Sequence, residues 1–452
     1  MNNLTRRYFL KTTGLALAYA GVLPALPASA LARITPVRVA RNKTLVAIFL
    51  RGGADGLNLV VPHGDKPYYD LRKGISVARP GSGENGAIDL DGFFGLNPRM
   101  GALKPLFDDG LAIATHAVGY DRNTRSHFEE QDTWETGVVG NTINSDGWLN
   151  RHLLTSQGAE GTVLRAVAIG DSLPRIMHGK ASAFAIRGLE DLSLPAPKKV
   201  DPNAITAALE HAYGQGGAGR SPASGPTSGH ATGLAHTNPE ALSAARDLVG
   251  RTTGTTLEGI KQLRAVTSGE YAPAVEYPKG DLGRKLMQVA RLIKADVGLE
   301  VAEVDLNGWD THQNQGAGGQ GAFGTLAQTL ADAVAAFTRD LGDRIDDTLI
   351  VTMTDFGRTA AENGTGGTDH GWANCMFLVG GGIKRASSLR AGKPVVANWP
   401  GLAPEQLHQK RDLLHTIDFR DVLGELVGTH LGNPNIKTVL PGHEFKSVGL
   451  IA

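Results

Sequence analysis

The chain has 452 residues, and its 45 basic and 45 acidic side chains give a formal charge of zero at pH 7 with histidine neutral. This balance excludes the basic surface that holds a nucleic-acid backbone, so nucleic acid is not an expected partner. Glycine is frequent at 59 residues, which indicates many turns, and the 41% hydrophobic content suffices for a large core.

The first 30 residues have the pattern of an export signal. Arg6 and Arg7 precede Phe-Leu-Lys, a short apolar run follows, and small residues lead to Ala30. The paired arginines resemble the twin-arginine signal, which predicts the twin-arginine export machinery as a partner and a soluble periplasmic or otherwise extracytoplasmic product. We expect cleavage near Ala30, with Ala32 as the alternative. A basic amphipathic helix is the competing interpretation. The apolar run is too short and too interrupted by Gly and Pro to span a membrane.

Short apolar runs alternate with amphipathic segments along the rest of the chain. The runs are typical of buried strands and cover 44–50, 111–118, 164–170, 299–306, 348–353 and 375–381. The helical patterns cover 125–137, 241–266, 282–295 and 326–341. This alternation predicts an α/β fold in which helices flank a largely parallel sheet.

We expect residues 31–452 to form a single domain with one flexible insertion. The insertion covers residues 214–238, where Gly, Ser, Ala, Pro and Thr leave nothing to bury. Candidate functional residues lie on both sides of it, which favours one domain over two. The single cysteine, Cys375, excludes an internal disulfide and lies in an apolar run typical of a buried thiol.

Acidic and imidazole side chains adjoin four of the predicted strands. In open α/β sheets ligands bind beyond the carboxyl ends of the strands. The residues there are Asp55, Asp310, His312, Asp355, Asp369 and His370. Each alone is more typical of a turn, a helix cap or a structural histidine. Together, crowded carboxylates require a cation, which predicts one or two divalent ions, with Zn²⁺, Mn²⁺, Mg²⁺ and Ca²⁺ all open.

Four further residues are candidates for a role at the site. Ser126 precedes a helix with Glu129 three residues later, which matches a capping box, but a hydroxyl at a helix N-terminus also suits an anion site. Arg358 could bind a phosphate or sulfate through its guanidinium. Trp309 and Trp372 either pack the loops or form the wall of a pocket for a sugar or aromatic group.

Six motifs occur in order across residues 45–380, and they are FLRGGADGLN, LDGFFGLNP, RSHFEEQD, GWDTHQNQ, TDFGRT and GTDHG. Together they resemble the exported bacterial family catalogued as domain of unknown function 1501 (DUF1501). That family is placed in the alkaline phosphatase-like superfamily, beside sulfatases and cofactor-independent phosphoglycerate mutases. The resemblance implies an alkaline phosphatase-like three-layer sandwich, but the family has no settled activity and gives no substrate.

The superfamily pattern implies roles for particular residues. Asp55 matches its first strand-end aspartate, and Ser126 matches its nucleophile, with Thr124 as the second choice. Asp310 and His312 match an aspartate and a histidine that lie close together in the superfamily, although the spacing is usually wider.

The later part of the pattern departs from the superfamily at Phe356, which replaces the histidine that should follow Asp355. His370 matches the final histidine. Either Asp369 supplies the missing ligand, or Asp369 and His370 are themselves the pair and Asp355 lies behind them. The departure leaves open one metal instead of two, or a site that binds without turnover.

The sequence therefore predicts an exported metal-dependent hydrolase or transferase whose partner is a small anionic phosphate or sulfate ester. A metal would deprotonate Ser126, which would attack phosphorus or sulfur, while Arg358 or Arg125 stabilised the developing charge. The alternative is a non-catalytic exported binding or assembly protein that keeps the fold with a degenerate metal site. The sequence lacks the G-x-S-x-G elbow of serine hydrolases and the glycine patterns of nucleotide-binding loops.

Overall fold

The computed structural model describes residues 43–140, 145–156, 162–189, 254–385 and 392–452. The expected signal segment (1–30), the insertion (214–238) and the first half of the helical pattern at 241–266 lie outside the described residues. By the packing of Cα atoms, Asn42–Ala452 form one compact unit.

All six apolar runs form strands, as the sequence predicts. The strands of the described chain are β1 (Thr44–Arg51), β2 (Val60–Val61), β3 (Ile88–Asp89), β4 (Gly95–Leu96), β5 (Ala112–Gly119), β6 (Ala166–Ile169), β7 (Phe184–Ile186), β8 (Val301–Asn307), β9 (Thr348–Thr354), β10 (Asn374–Gly380), β11 (Val395–Val396) and β12 (Ile417–Asp418). The three short strands β2, β3 and β4 form a small antiparallel sheet, and the others form the main sheet.

The main sheet has nine strands in the order β11-β5-β10-β9-β1-β8-β6-β7, with β12 also paired to β5. Every pair is parallel except the two that β10 makes with β5 and β9. The prediction of a largely parallel sheet is therefore confirmed. The exception arises because the chain passes from β9 to β10 through a loop without a helix, so β10 starts at the edge where β9 ends.

Helices flank both faces of the main sheet. The longer ones are α1 (His127–Thr136), α2 (Trp148–Thr155), α3 (Asp281–Lys294), α4 (Gly321–Leu341) and α5 (Phe419–Glu425), and residues 254–267 are also helical. The shorter ones are Gly56–Leu59, Lys66–Leu71, Lys104–Asp108, Gly381–Arg385 and Ile436–Val439, with 3₁₀ turns at Gly83–Asn85, Pro98–Leu103, Arg175–Met177 and Gly342–Asp347 and a π turn at Leu426–His430. In the described part of the chain, no helix combines the length and the apolar character that a membrane crossing requires.

The sheet separates two hydrophobic cores, which makes the architecture a three-layer sandwich. Alternate residues of β1 point to opposite faces, as expected for a strand buried on both sides. Val46 and Ile48 pack with residues of α3 and α4, whereas Leu45 and Ala47 pack with residues of α1, α2 and α5.

A buried carboxylate at the end of α5 fixes the C-terminal segment of the chain. Glu425 is 1% exposed and accepts hydrogen bonds from the hydroxyl of Ser447 at 2.7 Å and from the backbone nitrogen of Leu450 at 2.7 Å. The backbone nitrogens of Val448 and Gly449 donate to the same carboxylate. Leu450 thereby enters the core that covers the α5 face of the sheet.

We predict that Glu425→Gln lowers the free energy of unfolding by about 3 kcal/mol, because the amide nitrogen would face buried N–H groups that the carboxylate now satisfies. Urea denaturation of the two proteins measures the difference. Glu444→Gln is the control, since Glu444 is exposed and its replacement should leave the unfolding midpoint unchanged. Equal midpoints for the Glu425 and Glu444 variants would contradict this assignment.

Candidate metal centre

The candidate site lies beyond the carboxyl ends of β1, β8 and β9. Four segments meet there, and they are the loop after β1, the N-terminus of α1, the loop after β8 and the loop that joins β9 to β10. The last of these contributes because β10 is antiparallel, so the whole 355–373 loop stays at this edge of the sheet. Backbone hydrogen bonds from Asn314 to Thr365 and from Thr368 to Thr311 connect the two loops that carry most of the site.

Three side chains from three of these segments converge. They are His127, Asp310 and His370, and one possible ligand atom from each lies within 4.8 Å of the other two. His127 Nε2 is 3.5 Å from Asp310 Oδ2, and His370 Nε2 is 3.2 Å from Asp310 Oδ1. The rings of His127 and His370 also contact each other edge to face, with centroids 4.5 Å apart.

A third imidazole, that of His312, adjoins this cluster. Its Nε2 is 3.0 Å from Asp310 Oδ1 and 2.9 Å from His370 Nε2. Its Nδ1 is 3.3 Å from Asp369 Oδ1, so Asp369 lies behind the ring and not between the ring and Asp310. A hydrogen bond from Asn363, followed by the contact with His312, holds the pKa of Asp369 below its usual value.

The Nδ1 atoms of the other two rings also face oxygen acceptors. Asp355 Oδ2 is 2.6 Å from His127 Nδ1, and the backbone carbonyl of Arg125 is 2.8 Å from His370 Nδ1. An acceptor at Nδ1 favours the tautomer that carries the proton there and leaves the lone pair on Nε2. Histidines that bind metals are held in this way by carboxylates or backbone carbonyls.

Asp355 is itself held on several sides. Its carboxylate accepts hydrogen bonds from the side chain of Gln131 at 2.8 Å and from the backbone nitrogen of Gly52 at 3.1 Å. Burial alone would raise the pKa of Asp355, but the hydrogen bonds from His127, Gln131 and Gly52 lower it below the usual value. The hydrogen bond between His127 and Asp355 raises the pKa of His127, although partial burial opposes the shift.

Arg358 is a buried cross-link between the loops. Its guanidinium donates to the backbone carbonyls of Gly53 at 2.6 Å and Thr368 at 3.0 Å, and to Asp310 Oδ1 at 2.6 Å. Burial would raise the pKa of Asp310, but the hydrogen bond and charge of Arg358 outweigh it and lower that pKa. Burial and the charge of Arg358 lower the pKa of His370, against the hydrogen bond to the Arg125 carbonyl. Because Arg358 is 2% exposed, the structure places it among the loops and not at a surface for an anion.

Asp55 has a different set of partners from the one that the sequence predicts for it. The carboxylate is fully buried, and its Oδ2 accepts from Arg72 at 2.6 Å and from Gln315 at 2.7 Å. The guanidinium of Arg72 thus supplies the positive charge that the sequence leads us to expect from a metal. The side-chain oxygen of Gln315 in turn accepts from the hydroxyls of Thr311 at 2.9 Å and Thr368 at 3.2 Å. Gln315 therefore links Asp55 by hydrogen bonds to the loop after β8 and to the loop between β9 and β10.

Ser126 is the residue before α1, but it does not form a capping box. Its hydroxyl accepts no hydrogen bond from the helix N-terminus. Thr124, the second choice for a nucleophile, donates its hydroxyl to Glu130 at 2.9 Å. The half-buried Ser126 lies directly before His127 in the chain.

The aromatic residues beside the ligand loops are buried. Trp309 is 0% exposed and Trp372 is 7% exposed, so both pack the loops. The ring of Phe356 packs against His127 and His370, with centroids 4.8 and 4.5 Å away. The residue that departs from the superfamily pattern therefore forms an apolar contact for two imidazoles.

Sequence reasoning missed His127 and Gln131, although it named Asp355, which contacts both of them. The available signal was the spacing of His127 and Gln131, which are four residues apart on a predicted helix and so share one face. In the structure both contact Asp355. The role of Gln315 had no such signal, because Asp55 and Thr368, two of its three partners, lie in distant parts of the chain.

Comparisons with known proteins relate part of the chain to a family. A sequence model of the family described as "Protein of unknown function (DUF1501)" matches residues 227–440. The matched segment includes Asp310, His312 and His370 and excludes His127. It supports the resemblance of the sequence motifs over that part of the chain. No curated protein matches the sequence.

One solved structure that matches the chain is the crystal structure of PsFucS1 sulfatase from Pseudoalteromonas sp.. The similarity covers 91% of this chain and 72% of that chain, at 12% sequence identity and a TM-score of 0.34. A likeness this weak adds nothing on function, and the fold described above follows from the sheet and helices of the chain itself.

Two glycines let the loop after β1 approach the ligand loops closely. Gly52 has a φ of +116°, and a Cβ there would lie 2.6 Å from the backbone nitrogen of Asp310. Gly53 has a φ of +68°, and a Cβ there would lie 2.5 Å from the ring of Phe356. Both positions require glycine for backbone conformation and for space.

We predict that Gly53→Ala lowers the free energy of unfolding by about 3 kcal/mol, of which about 1 kcal/mol is the left-handed backbone and the rest is the clash with Phe356. Gly110→Ala is the matched control, since Gly110 also has a φ of +68° but nothing within 4 Å of an added Cβ. Chemical denaturation should show the smaller loss for the control. Equal losses for the two variants would mean that the close approach to Phe356 costs nothing.

Proposed function

We propose that the chain binds one divalent cation through His127, Asp310 and His370, with His312 as a fourth ligand, and uses it to hydrolyse phosphate or sulfate esters. The observation that carries the proposal is the direction of the three imidazoles. Each has its Nδ1 against an oxygen acceptor, and two of the Nε2 atoms lie within 3.2 Å of Asp310 Oδ1.

The residues fit a cation better than they fit one another. His127 Nε2 is buried without a hydrogen-bond partner, and the Nε2 atoms of His312 and His370 are 2.9 Å apart. If Nδ1 carries the proton in each ring, both Nε2 atoms are acceptors and cannot bond to each other. A positive ion between them and Asp310 removes that conflict.

The ligand set narrows the choice of metal that the sequence left open. Imidazole nitrogen combined with one carboxylate is typical of Zn²⁺ and related transition metals, whereas Mg²⁺ and Ca²⁺ prefer all-oxygen ligands. The positions of Asp55 and Phe356 favour one ion over two. Asp55 is neutralised by Arg72, and Phe356 offers an apolar ring where a further ligand would stand.

The proposal of a seryl nucleophile is supported by the match of Ser126 to the nucleophile of the superfamily pattern and by its place next to His127 in the chain. A bound cation would act as a Lewis acid on the ester oxygens and favour the ionised nucleophile. Ser126 would lose its hydroxyl proton and form a bond to phosphorus or sulfur as the bond to the alcohol oxygen breaks, and the alcohol would leave after taking a proton from solvent. Water would then hydrolyse the seryl ester and restore the hydroxyl. Asp355 and the Arg125 carbonyl would keep His127 and His370 in orientation during these steps.

The assignment to phosphate or sulfate esters is supported by the motif resemblance to the alkaline phosphatase-like superfamily. The place of action rests on the twin-arginine motif, which lies outside the described residues. We therefore propose export through the twin-arginine machinery, with removal of the signal near Ala30.

A second candidate function is binding without turnover. The sequence predicts that Arg358 stabilises the negative charge on the substrate. In the structure Arg358 is buried and donates hydrogen bonds to backbone carbonyls and to Asp310. If no other basic side chain stabilises the charge that develops on the substrate, the centre would bind an anionic ligand through the metal without hydrolysing it.

We predict that the full-length protein loaded with Zn²⁺ or Mn²⁺ hydrolyses a generic aryl phosphate or sulfate, and that Ser126→Ala lowers kcat by at least about 100-fold because the nucleophile is lost. Ser82→Ala is the control, since Ser82 also precedes a helical turn without capping it and is exposed. It should retain full activity.

Metal binding without hydrolysis of either ester class would favour the second candidate. Hydrolysis that survives Ser126→Ala would exclude the seryl mechanism and point to direct attack by water.

A further inference from the structure

A short turn between β11 and β12 contacts the backbone of His370. This turn (residues 408–412) is closed by backbone hydrogen bonds in both directions between His408 and Asp412, at 2.8 and 3.0 Å. The guanidinium of Arg411 donates to the carbonyl of His370 at 2.9 Å. The backbone carbonyl of Arg411 accepts from the backbone nitrogen of Ala360 at 3.1 Å. The 408–412 turn therefore packs against the loop that carries His370.

The last residue of this turn, Asp412, pairs with the residue that faces the His370 ring. Its Oδ2 accepts from Arg125 Nη2 at 2.6 Å and from Arg125 Nε at 3.1 Å. The backbone carbonyl of the same Arg125 is 2.8 Å from His370 Nδ1. Arg125 has a φ of +61°, which is uncommon for a residue with a Cβ and persists where surrounding contacts hold it. The ion pair with Asp412 is such a contact.

One carboxylate thus joins two residues that hydrogen-bond to His370. Asp412 Oδ2 also contacts the guanidinium of Arg411, at 3.4 Å. The side chain of Asp412 is 0% exposed, and its Oδ1 has no hydrogen-bond partner within the described chain. A buried carboxylate with an unsatisfied oxygen is costly, and a buried ion pair is weak evidence of a gain in stability. The place of Asp412 is better explained by what its two arginines hold.

We propose that Asp412 is a positioning residue for the candidate metal centre, and that it keeps the His370 imidazole directed at Asp310. It acts through the guanidinium groups of Arg125 and Arg411 and contacts neither the cation nor the substrate. The inference rests on the proposed metal-dependent function, although the orientation of the ring is measurable without a metal. Once Asp412 is removed, the Arg125 carbonyl loses its fixed direction and the imidazole can turn away from the other ligands.

The first experiment follows the His370 ring in the metal-free, full-length protein that carries ¹⁵N-labelled histidine. The parent should show an Nδ1–H resonance that is absent from His370→Ala, because the Arg125 carbonyl accepts from that nitrogen. Asp412→Ala should lose this resonance. Asp340→Ala is the control and should keep it, since the side chain of Asp340 is likewise 0% exposed and pairs with Lys294 near the end of α4, outside the cluster.

The second experiment titrates the same metal-free proteins with Co²⁺. Asp412→Ala and Arg125→Met should each weaken binding about tenfold, as the loss of an outer contact of a metal-bound histidine typically does. The double variant should bind no more weakly than the weaker of the two single variants, because both break the same ion pair. Asp340→Ala should bind as the parent does. Arg125→Met serves the test even if Asp412→Ala does not fold, since Arg125 is only half-buried.

The two readouts separate this role from the metal centre itself. If the parent binds no Co²⁺ but the Nδ1–H resonance disappears in Asp412→Ala or Arg125→Met, the metal centre fails and the positioning role stands. If Co²⁺ binds and the resonance persists in these variants, the centre stands and the positioning role is wrong. Absence of the resonance from the parent, or its equal loss in Asp340→Ala, would also overturn the role.

Discussion

Three imidazole rings face a single carboxylate at the edge of the sheet, and an oxygen acceptor fixes each ring from behind. With the proton on Nδ1 in each ring, this arrangement directs nitrogen lone pairs toward one another, which is unfavourable without a positive charge between them. The orientation of the rings depends on Asp355, Asp369 and the carbonyl of Arg125. The surrounding loops are built to hold those acceptors in place, by the buried Arg358 and by the close approach of Gly52 and its neighbour.

The topology of the sheet explains how residues far apart in sequence reach this point. Parallel strands end at one edge, and the antiparallel β10 starts at that same edge. The loop from β9 to β10 therefore delivers Asp355 at its beginning and His370 at its end to the same place. A helical crossover between β9 and β10 would have carried the second half of this loop to the opposite edge of the sheet.

The sequence predicts the sheet, its six principal strands and the meeting of Asp310, His312 and His370, because strand-end position is readable from apolar runs. The sequence does not predict that Asp55 forms a buried ion pair with Arg72. A strand-end carboxylate has the same pattern whether a metal or an arginine neutralises it, and Arg72 follows the short helix Lys66–Leu71, where no strand pattern points to it. The sequence does not predict the role of His127 either. A histidine in the first turn of a helix has the same pattern whether or not it binds a metal, and the superfamily pattern matches its neighbour Ser126 instead.

The most direct test of a single cation held by three imidazoles and Asp310 is a titration of the metal-free protein with Co²⁺, followed by the visible absorption of the bound ion. We expect one ion per chain, no binding after His370→Ala, and binding weaker by about 10- to 100-fold after Asp355→Asn, which removes the negative charge behind His127. His178→Ala should bind as the parent does, because His178 is exposed and bonds to the Leu173 carbonyl outside the cluster. Equal affinity in the parent and the His370 variant would contradict the account.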